Sequence, residues 1–533
     1  MASPFASQLG SGYCPSNEEI LQIKELLIEP TLRMKELDDE IAALQKAIDK
    51  LRGERDGLCT YVDAHKALIS PVRRLSLDII EQIFIACLPT HRNCAMSASE
   101  APVLLGRICG SWRTISLSMP RLWSRLHIVQ PNVKLDGTDG IRTPMDDSEK
   151  LDQRLESTKM WLGRSGQCPL SISVEGVSEP RVMHTATPSP PRSTLLLQAL
   201  VPFASRWQHI HITADSSAFN AMSHLVEGDV PMLETLSIRY SQSIPHREVR
   251  WEQLGIFGGA RLCSLSMPGR NFQDNLPLRW HQLTVLEIVD PYHEFYMHIE
   301  RILRIISRCP ELRICKLPVE NAPHGGGVWL PHPAIELKLL ETLELHCKSS
   351  PESLLDRLSL PELRSFSISG FSQNTPSLIP VFILWTRLET VRINSMLFNF
   401  SLLELLQNLP PTIRRLHLDD KSGTFLDDDV LAVFTPAPGG SAPCCPALEA
   451  LIMDQCPLIS DAAVLRFITA RMNQSSLTLK RLKIHFRRLM TLDILPSLQP
   501  FIDAGLEVSL HHTMPQRVSP WQGLPDTPPS PPD

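Results

Sequence analysis

One six-residue pattern constrains this chain more than any other feature. It is apolar-x-x-apolar-x-apolar, and it recurs from residue 207 onward. It reads WQHIHI at 207, LETLSI at 233, LCSLSM at 262, LTVLEI at 283, LRICKL at 312 and LETLEL at 340. It continues as LRSFSI at 363, LETVRI at 388, IRRLHL at 413, LEALIM at 448 and LKRLKI at 479. Start-to-start spacings run from 21 to 35 residues. The last three positions alternate with the period of a strand. Between them lie stretches with helical spacing: FYMHIERILRIISRC, ESLLDRL, LLELLQNL and DAAVLRFITARM.

One strand and one helix per unit at this period reads as a degenerate leucine-rich-repeat solenoid. Such a unit cannot close its own core, and stacking neighbours buries a continuous one. The units vary in length and lack the usual Asn after the strand. The expected fold class is α+β: an N-terminal coiled-coil helix, a small all-α unit, then an α/β leucine-rich-repeat-like solenoid over 151–512. A helix, LDQRLESTKMWLGRSG, and a strand, PLSISV, open that solenoid.

Residues 1–16 are expected to be disordered and 17–66 helical. Within the latter, 17–29 reads as a short helix ending at Pro30. From Met34 a heptad pattern takes over. Leu37, Leu44, Leu51 and Leu58 form one series; Met34, Ile41, Ile48 and Val62 form the other, interrupted by Arg55. Glu and Lys fill the flanks, so this is a coiled-coil seam of about four heptads. It implies either a homodimer or a single amphipathic helix lying on the rest of the protein. Residues 131–150 read as a polar linker. The Pro/Ser-rich stretch 175–193 reads as a disordered loop, and 513–533 as a disordered tail in which Thr527 and Ser530 precede Pro.

A formal charge of −6 over 533 residues argues against nonspecific nucleic-acid binding. No apolar run reaches the roughly 18 residues needed to span a bilayer, so no membrane partner is expected. The first residues lack a signal-peptide pattern. The 13 cysteines are scattered, as suits a reducing compartment. An intracellular protein, cytoplasmic or nuclear, is expected. There is no glycine-rich phosphate loop, no Gly-x-Ser-x-Gly and no paired metal-ligand motif. No enzyme, catalytic residue, cofactor or metal is therefore expected. His293, His298 and Glu294 fit no zinc spacing, His511–His512 stand near the end of the repeats, and the acidic loop 419–429 matches no calcium loop.

The stretch SPVRRLSLDIIEQIFIACLP, 70–89, predicts a helix over 77–88, with Ser76 as N-cap and Asp78 in the first turn. Leu77, Ile79, Ile80, Ile83, Phe84 and Ile85 leave it only a narrow polar strip. A second helix is predicted from near Ser99 through Ala101, Leu104, Leu105, Ile108, Cys109, Trp112 and Ile115, with Pro102 in its first turn. A turn at Pro120 then leads to Leu122 and Trp123. A unit as small as 70–128 buries only about 60% of its surface when folded alone. Part of the first helix must face another body, either the rest of this chain or a separate protein.

Residues 70–128 resemble an F-box. LSLDIIEQIF supplies Leu75, Asp78, Ile79, Ile80, Ile83 and Phe84; RICGSWRTI supplies Ile108, Cys109, Trp112 and Arg113; PRLW supplies Leu122 and Trp123. The family's Pro after the first Leu is Ser76 here. The whole order looks most like the F-box proteins with degenerate leucine-rich repeats of mushroom-forming fungi. The resemblance implies a substrate receptor of a cullin-type ubiquitin ligase, partnered by a Skp-type adaptor and, through it, a cullin. The implied adaptor-facing residues are Leu75, Leu77, Ile79, Ile80, Ile83, Phe84, Leu104, Leu105, Ile108 and Trp112. The alternative is a leucine-rich-repeat interaction scaffold with no ubiquitin role.

The x positions of the repeated strand motif alternate away from the core. They present Arg414, Arg415 and His417, then Lys480, Arg481 and Lys483. These six are the candidate contacts to a protein substrate, with an acidic or phosphorylated segment favoured. Glu449 between them and the acidic LETLEL upstream make a mixed, solvated face the competing expectation.

Overall fold

The computed structural model describes residues 3–69, 71–131, 144–176, 192–240, 249–290, 294–321, 334–370, 378–395, 399–420, 423, 426–436, 443–474 and 479–513. The chain divides into two units, 1–83 and 84–533. The core of the expected linker, most of the loop expected over 175–193, the Pro-rich tail from 514 and His293 all lie outside the described residues.

The first unit is dominated by one helix, Asn17–Leu68, of 52 residues. At 1.5 Å per residue it is about 78 Å long. Its start is a reciprocal cap: the Ser16 hydroxyl accepts the Glu19 N–H, and the Glu19 carboxylate accepts the Ser16 N–H at 2.8 Å. Residues 3–16, expected to be disordered, carry a 3-10 turn at Ala6–Gln8. The expected break at Pro30 is corrected, since Pro30 lies inside the helix. Pro removes one hydrogen bond there, but strong helix formers on both sides carry the helix across it. All eight heptad residues from Met34 to Val62 are exposed. A 3-10 turn, Pro71–Arg74, leads to the helix Leu77–Ala86, which runs across the division between units.

The second unit is built on one parallel sheet. Fourteen strands lie side by side in chain order, from Arg125–Val129 to Glu507–His511, and a fifteenth, Met297–His298, pairs alongside Ile314–Glu320. All eleven copies of the six-residue pattern become strands of this sheet, each beginning within the motif. The strand pairing aligns the motif's central apolar residue across every neighbour. One file runs Leu126, Ile172, Ile210, Leu236, Leu265, Leu286, Cys315, Leu343, Phe366, Val391, Leu416, Leu451, Leu482 and Val508. Every member before Val508 is at most 2% exposed. Fully burying such a side chain is worth about 1.5–3 kcal/mol, so the register is fixed by the apolar file itself.

The connections cover the other side of that file. Four are helices where the sequence predicts them: Ile299–Ile306, Glu352–Leu355, Asn399–Gln407 and Asp461–Met472. Between 216 and 282 they are 3-10 turns instead. Gly370 ends its strand at φ 112, and an added Cβ would lie 2.0 Å from the Cys347 carbonyl oxygen. The helix placed at 151 begins earlier, at Pro144, a position where a missing N–H costs nothing. The sheet also reaches further back than expected. Arg125–Val129, read as the end of an all-helical unit, is its first strand.

Candidate protein-interaction surfaces

The ten residues implied to face an adaptor separate into inside and outside. On the helix Leu77–Ala86, Ile80 and Phe84 are buried, Ile83 is half-buried, and Leu77 and Ile79 are 56% and 44% exposed. Leu75, just before the helix, is half-buried. The Ser76 carbonyl accepts the Ile80 N–H at 3.1 Å, so the helix starts without the family's Pro. A hydrogen bond from Ser76 also holds the Asp78 carboxyl below its ordinary pKa.

In the second unit Phe84 is fully buried and meets the half-buried Trp112 edge-on, ring centroids 4.8 Å apart. Leu105 is buried beside Ala101, while Leu104, Ile108 and Leu117 are 40%, 55% and 43% exposed. The single helix predicted from Ser99 is corrected to two short ones, Leu105–Ile108 and Gly110–Ser118. Pro102 disfavours helix at the residue before it, and Gly106 and Gly110 weaken the helical run beyond it. Cys109 is extended at the break, and its thiol accepts the Trp112 N–H. Arg113 Nε donates to the Gly106 carbonyl at 2.7 Å and ties the two helices together. Trp123 is buried and donates to the Ser116 carbonyl at 2.8 Å. Ile80 in the first unit and Phe84 and Leu105 in the second are therefore buried, while Leu77 and Ile79 of the first and Leu104 and Ile108 of the second are left exposed.

The six candidate substrate bases fare differently. Arg414 and Lys480 both pair with Glu449, at 2.8 and 3.1 Å. Lys480 and then Arg414 hold the Glu449 carboxyl below its ordinary pKa. They belong to a ladder along the second motif position, in which Arg313 pairs Glu341 and Arg364 pairs Glu389. Arg481 pairs with Glu507 at 2.6 Å, and His417 with Asp454 at 2.7 Å. Asp454 also meets His485 at 2.5 Å. Only Arg415 and Lys483 make no ion pair with a described residue. The six are not one basic patch. The sequence shows Glu449 but cannot show that it serves two bases at once.

Two buried groups were not singled out from sequence. Asp461 is fully buried. It accepts from Arg488 at 2.9 and 3.1 Å, from the Thr491 hydroxyl at 2.6 Å, from the Thr491 and Leu492 N–H at 3.0 Å, and pairs with His512 at 3.0 Å. Burial alone would raise its carboxyl pKa; the donors Arg488, Thr491 and His512 outweigh that and hold it far below 3.8. Arg471 is equally buried and donates to the carbonyls of Phe434, Cys444 and Cys445. The sequence DAAVLRFITARM does not separate them from Arg466 of the same helix, which is exposed.

In the acidic loop, Asp420 accepts the Gly423 and Leu426 N–H, and Asp427 caps the helix Asp428–Phe434. Among the described residues no group of three or more His, Cys, Asp or Glu is placed to hold a metal ion. No helix among them is long and apolar enough to cross a membrane. Compared with known protein families and with curated proteins, the chain matches none.

Proposed function

We propose that this protein is a non-enzymatic substrate receptor of a cullin-type ubiquitin ligase, with an F-box at 70–128 and a leucine-rich-repeat-like solenoid behind it. The observation that carries the reading is the exposure of Leu77 and Ile79 in the first unit and of Leu104 and Ile108 in the second. Exposed apolar side chains grouped into a patch, unlike ones scattered singly, mark a protein-interaction site. The four are already about half-buried, so removing the rest of their surface from water would release about 3–6 kcal/mol in all, half of the ~1.5–3 kcal/mol that full burial gives each. Association costs of about 4–15 kcal/mol oppose that, so the roughly 8 kcal/mol of micromolar affinity for a Skp-type adaptor requires further contacts around these four. Leu75, Ile83 and Trp112 would border the contact, whereas Ile80, Phe84 and Leu105 support it from inside.

The parallel sheet in chain order supports the solenoid reading, since stacked units give that topology. Its polar face would take the substrate, with Arg415 and Lys483 as the bases still available to an acidic segment. The exposed heptad residues of Asn17–Leu68 support self-association of two copies through that helix. Such a receptor works in the cytosol or nucleus. The test is affinity capture of the full chain from a eukaryotic extract, beside Ile79→Asp and Ile108→Asp. Adaptor and cullin recovered with the wild type and lost with both variants support the proposal. A folded wild type that captures neither leaves the interaction scaffold as the better reading.

A further inference from the structure

A cleft of about 460 Å³ opens beside the helix Pro144–Arg164, apart from the surfaces described above. Its walls include Trp123, Trp161 and Met96, and its charged residues are Lys150, Arg154 and Arg164. No carboxylate lines it among the described residues. Three observations describe the donors around the cleft. Trp161 is 4% exposed, yet its indole N–H finds no acceptor among the described residues. Arg154 Nη1 reaches the thioether of Met96 at 3.8 Å, a weak acceptor for a charged donor. The Arg164 guanidinium lies 4.7 Å from the Trp123 ring centre, held by a π face. The two Trp rings stand edge to face, centroids 4.8 Å apart. A volume in the small-molecule range, aromatic walls and basic side chains in the lining are the makings of a ligand site.

We propose that this cleft binds an aromatic monoanion: a flat apolar body between the Trp and Met walls, carrying one carboxylate that accepts from Arg154 and Arg164. The ligand supplies Arg154 and Arg164 with oxygen acceptors that none of the described lining residues offers as a carboxylate, and a charge-assisted bond to Arg is about twice as strong as a neutral one. A cation would be repelled by Arg154 and Arg164. A neutral molecule gains the packing but leaves the donors unanswered.

The test uses the full-length protein and 2-naphthoate, followed by calorimetry and by quenching of Trp fluorescence. The neutral isostere 2-naphthylmethanol and inorganic phosphate serve as comparison ligands. Naphthoate is expected to saturate with a Kd below about 1 mM and to bind about tenfold more tightly than the alcohol. Phosphate alone is expected not to saturate in that range. Arg154→Gln should weaken naphthoate about tenfold, and Trp161→Phe, which keeps the packing and removes the donor, about threefold or more. No saturation by naphthoate, or equal affinity for the alcohol, would overturn the proposal, as would unchanged binding to a folded Arg154→Gln. The comparison of the two naphthyl ligands on wild type stands even if a variant fails to fold.

Discussion

Asp461→Asn replaces a buried carboxylate by a group of the same shape. The change removes the charge that Arg488 and His512 share and turns an acceptor into a donor that faces them. Breaking one side of a buried pair costs about 3–5 kcal/mol, because the partner is left uncompensated. His512 comes directly after the last strand, Glu507–His511, so the cost falls on that end of the sheet. At about 1.4 kcal/mol per decade, even the lower figure is about a hundredfold in the local opening equilibrium. Native-state hydrogen exchange reads it at the Thr513 and Glu507 amides, which donate to the Arg488 and Lys480 carbonyls. Their protection should fall about a hundredfold, or vanish, in Asp461→Asn, and stay unchanged in the exposed control Asp503→Asn. The pH dependence has a definite sign. A carboxyl held below its ordinary value of 3.8 contributes fully above that value, and the contribution fades as pH falls toward the depressed one. The gap between wild type and Asp461→Asn should therefore be constant at neutral pH and narrow below about pH 3.8. Protection within about threefold of wild type at neutral pH would refute the reasoning.

Arg471→Met should lower the urea midpoint by an amount worth about 3 kcal/mol or more, since the buried carbonyls of Phe434 and Cys445 and the part-buried one of Cys444 lose their donor. Gly370→Ala should destabilise by about 2 kcal/mol or more in the same assay, because φ 112 and the Cys347 carbonyl both exclude a Cβ. The exposed heptads predict a dimer by light scattering at micromolar concentration, which Leu44→Pro converts to monomer by breaking the helix. A monomeric wild type would end that idea.

The sheet was legible because its signal is periodic and redundant: each motif carries its own register, and neighbours repeat it. Arg125–Val129 escaped for a different reason. WSRLHI, 123–128, fits the same six-residue pattern, but its own Trp123 and the preceding Leu122 drew it into the helical unit. Glu507–His511 has the alternation without the leading spacing. Pro30 shows the reverse error, a local breaker overruled by the helix on both sides. The candidate docking residues were legible as a set but not as a partition. Spacing puts Ile79 and Ile80 on one apolar helix, and only three-dimensional packing makes the first an outward residue and the second an inward one. The substrate bases failed on pairing: a one-dimensional reading counts Arg414 and Lys480 as charges, while the sheet places Glu449 between them.

The proposed function rests on the outward apolar residues of 70–128 being a docking surface. Calorimetric titration of the purified full chain with a Skp-type adaptor tests this most directly. A Kd in the micromolar range or tighter is expected, weakened about a hundredfold or more by Ile79→Asp and unchanged by Ile383→Asp, an equally polarising change at a residue 70% exposed elsewhere. No heat of binding from folded wild type, or equal loss in both variants, would contradict it.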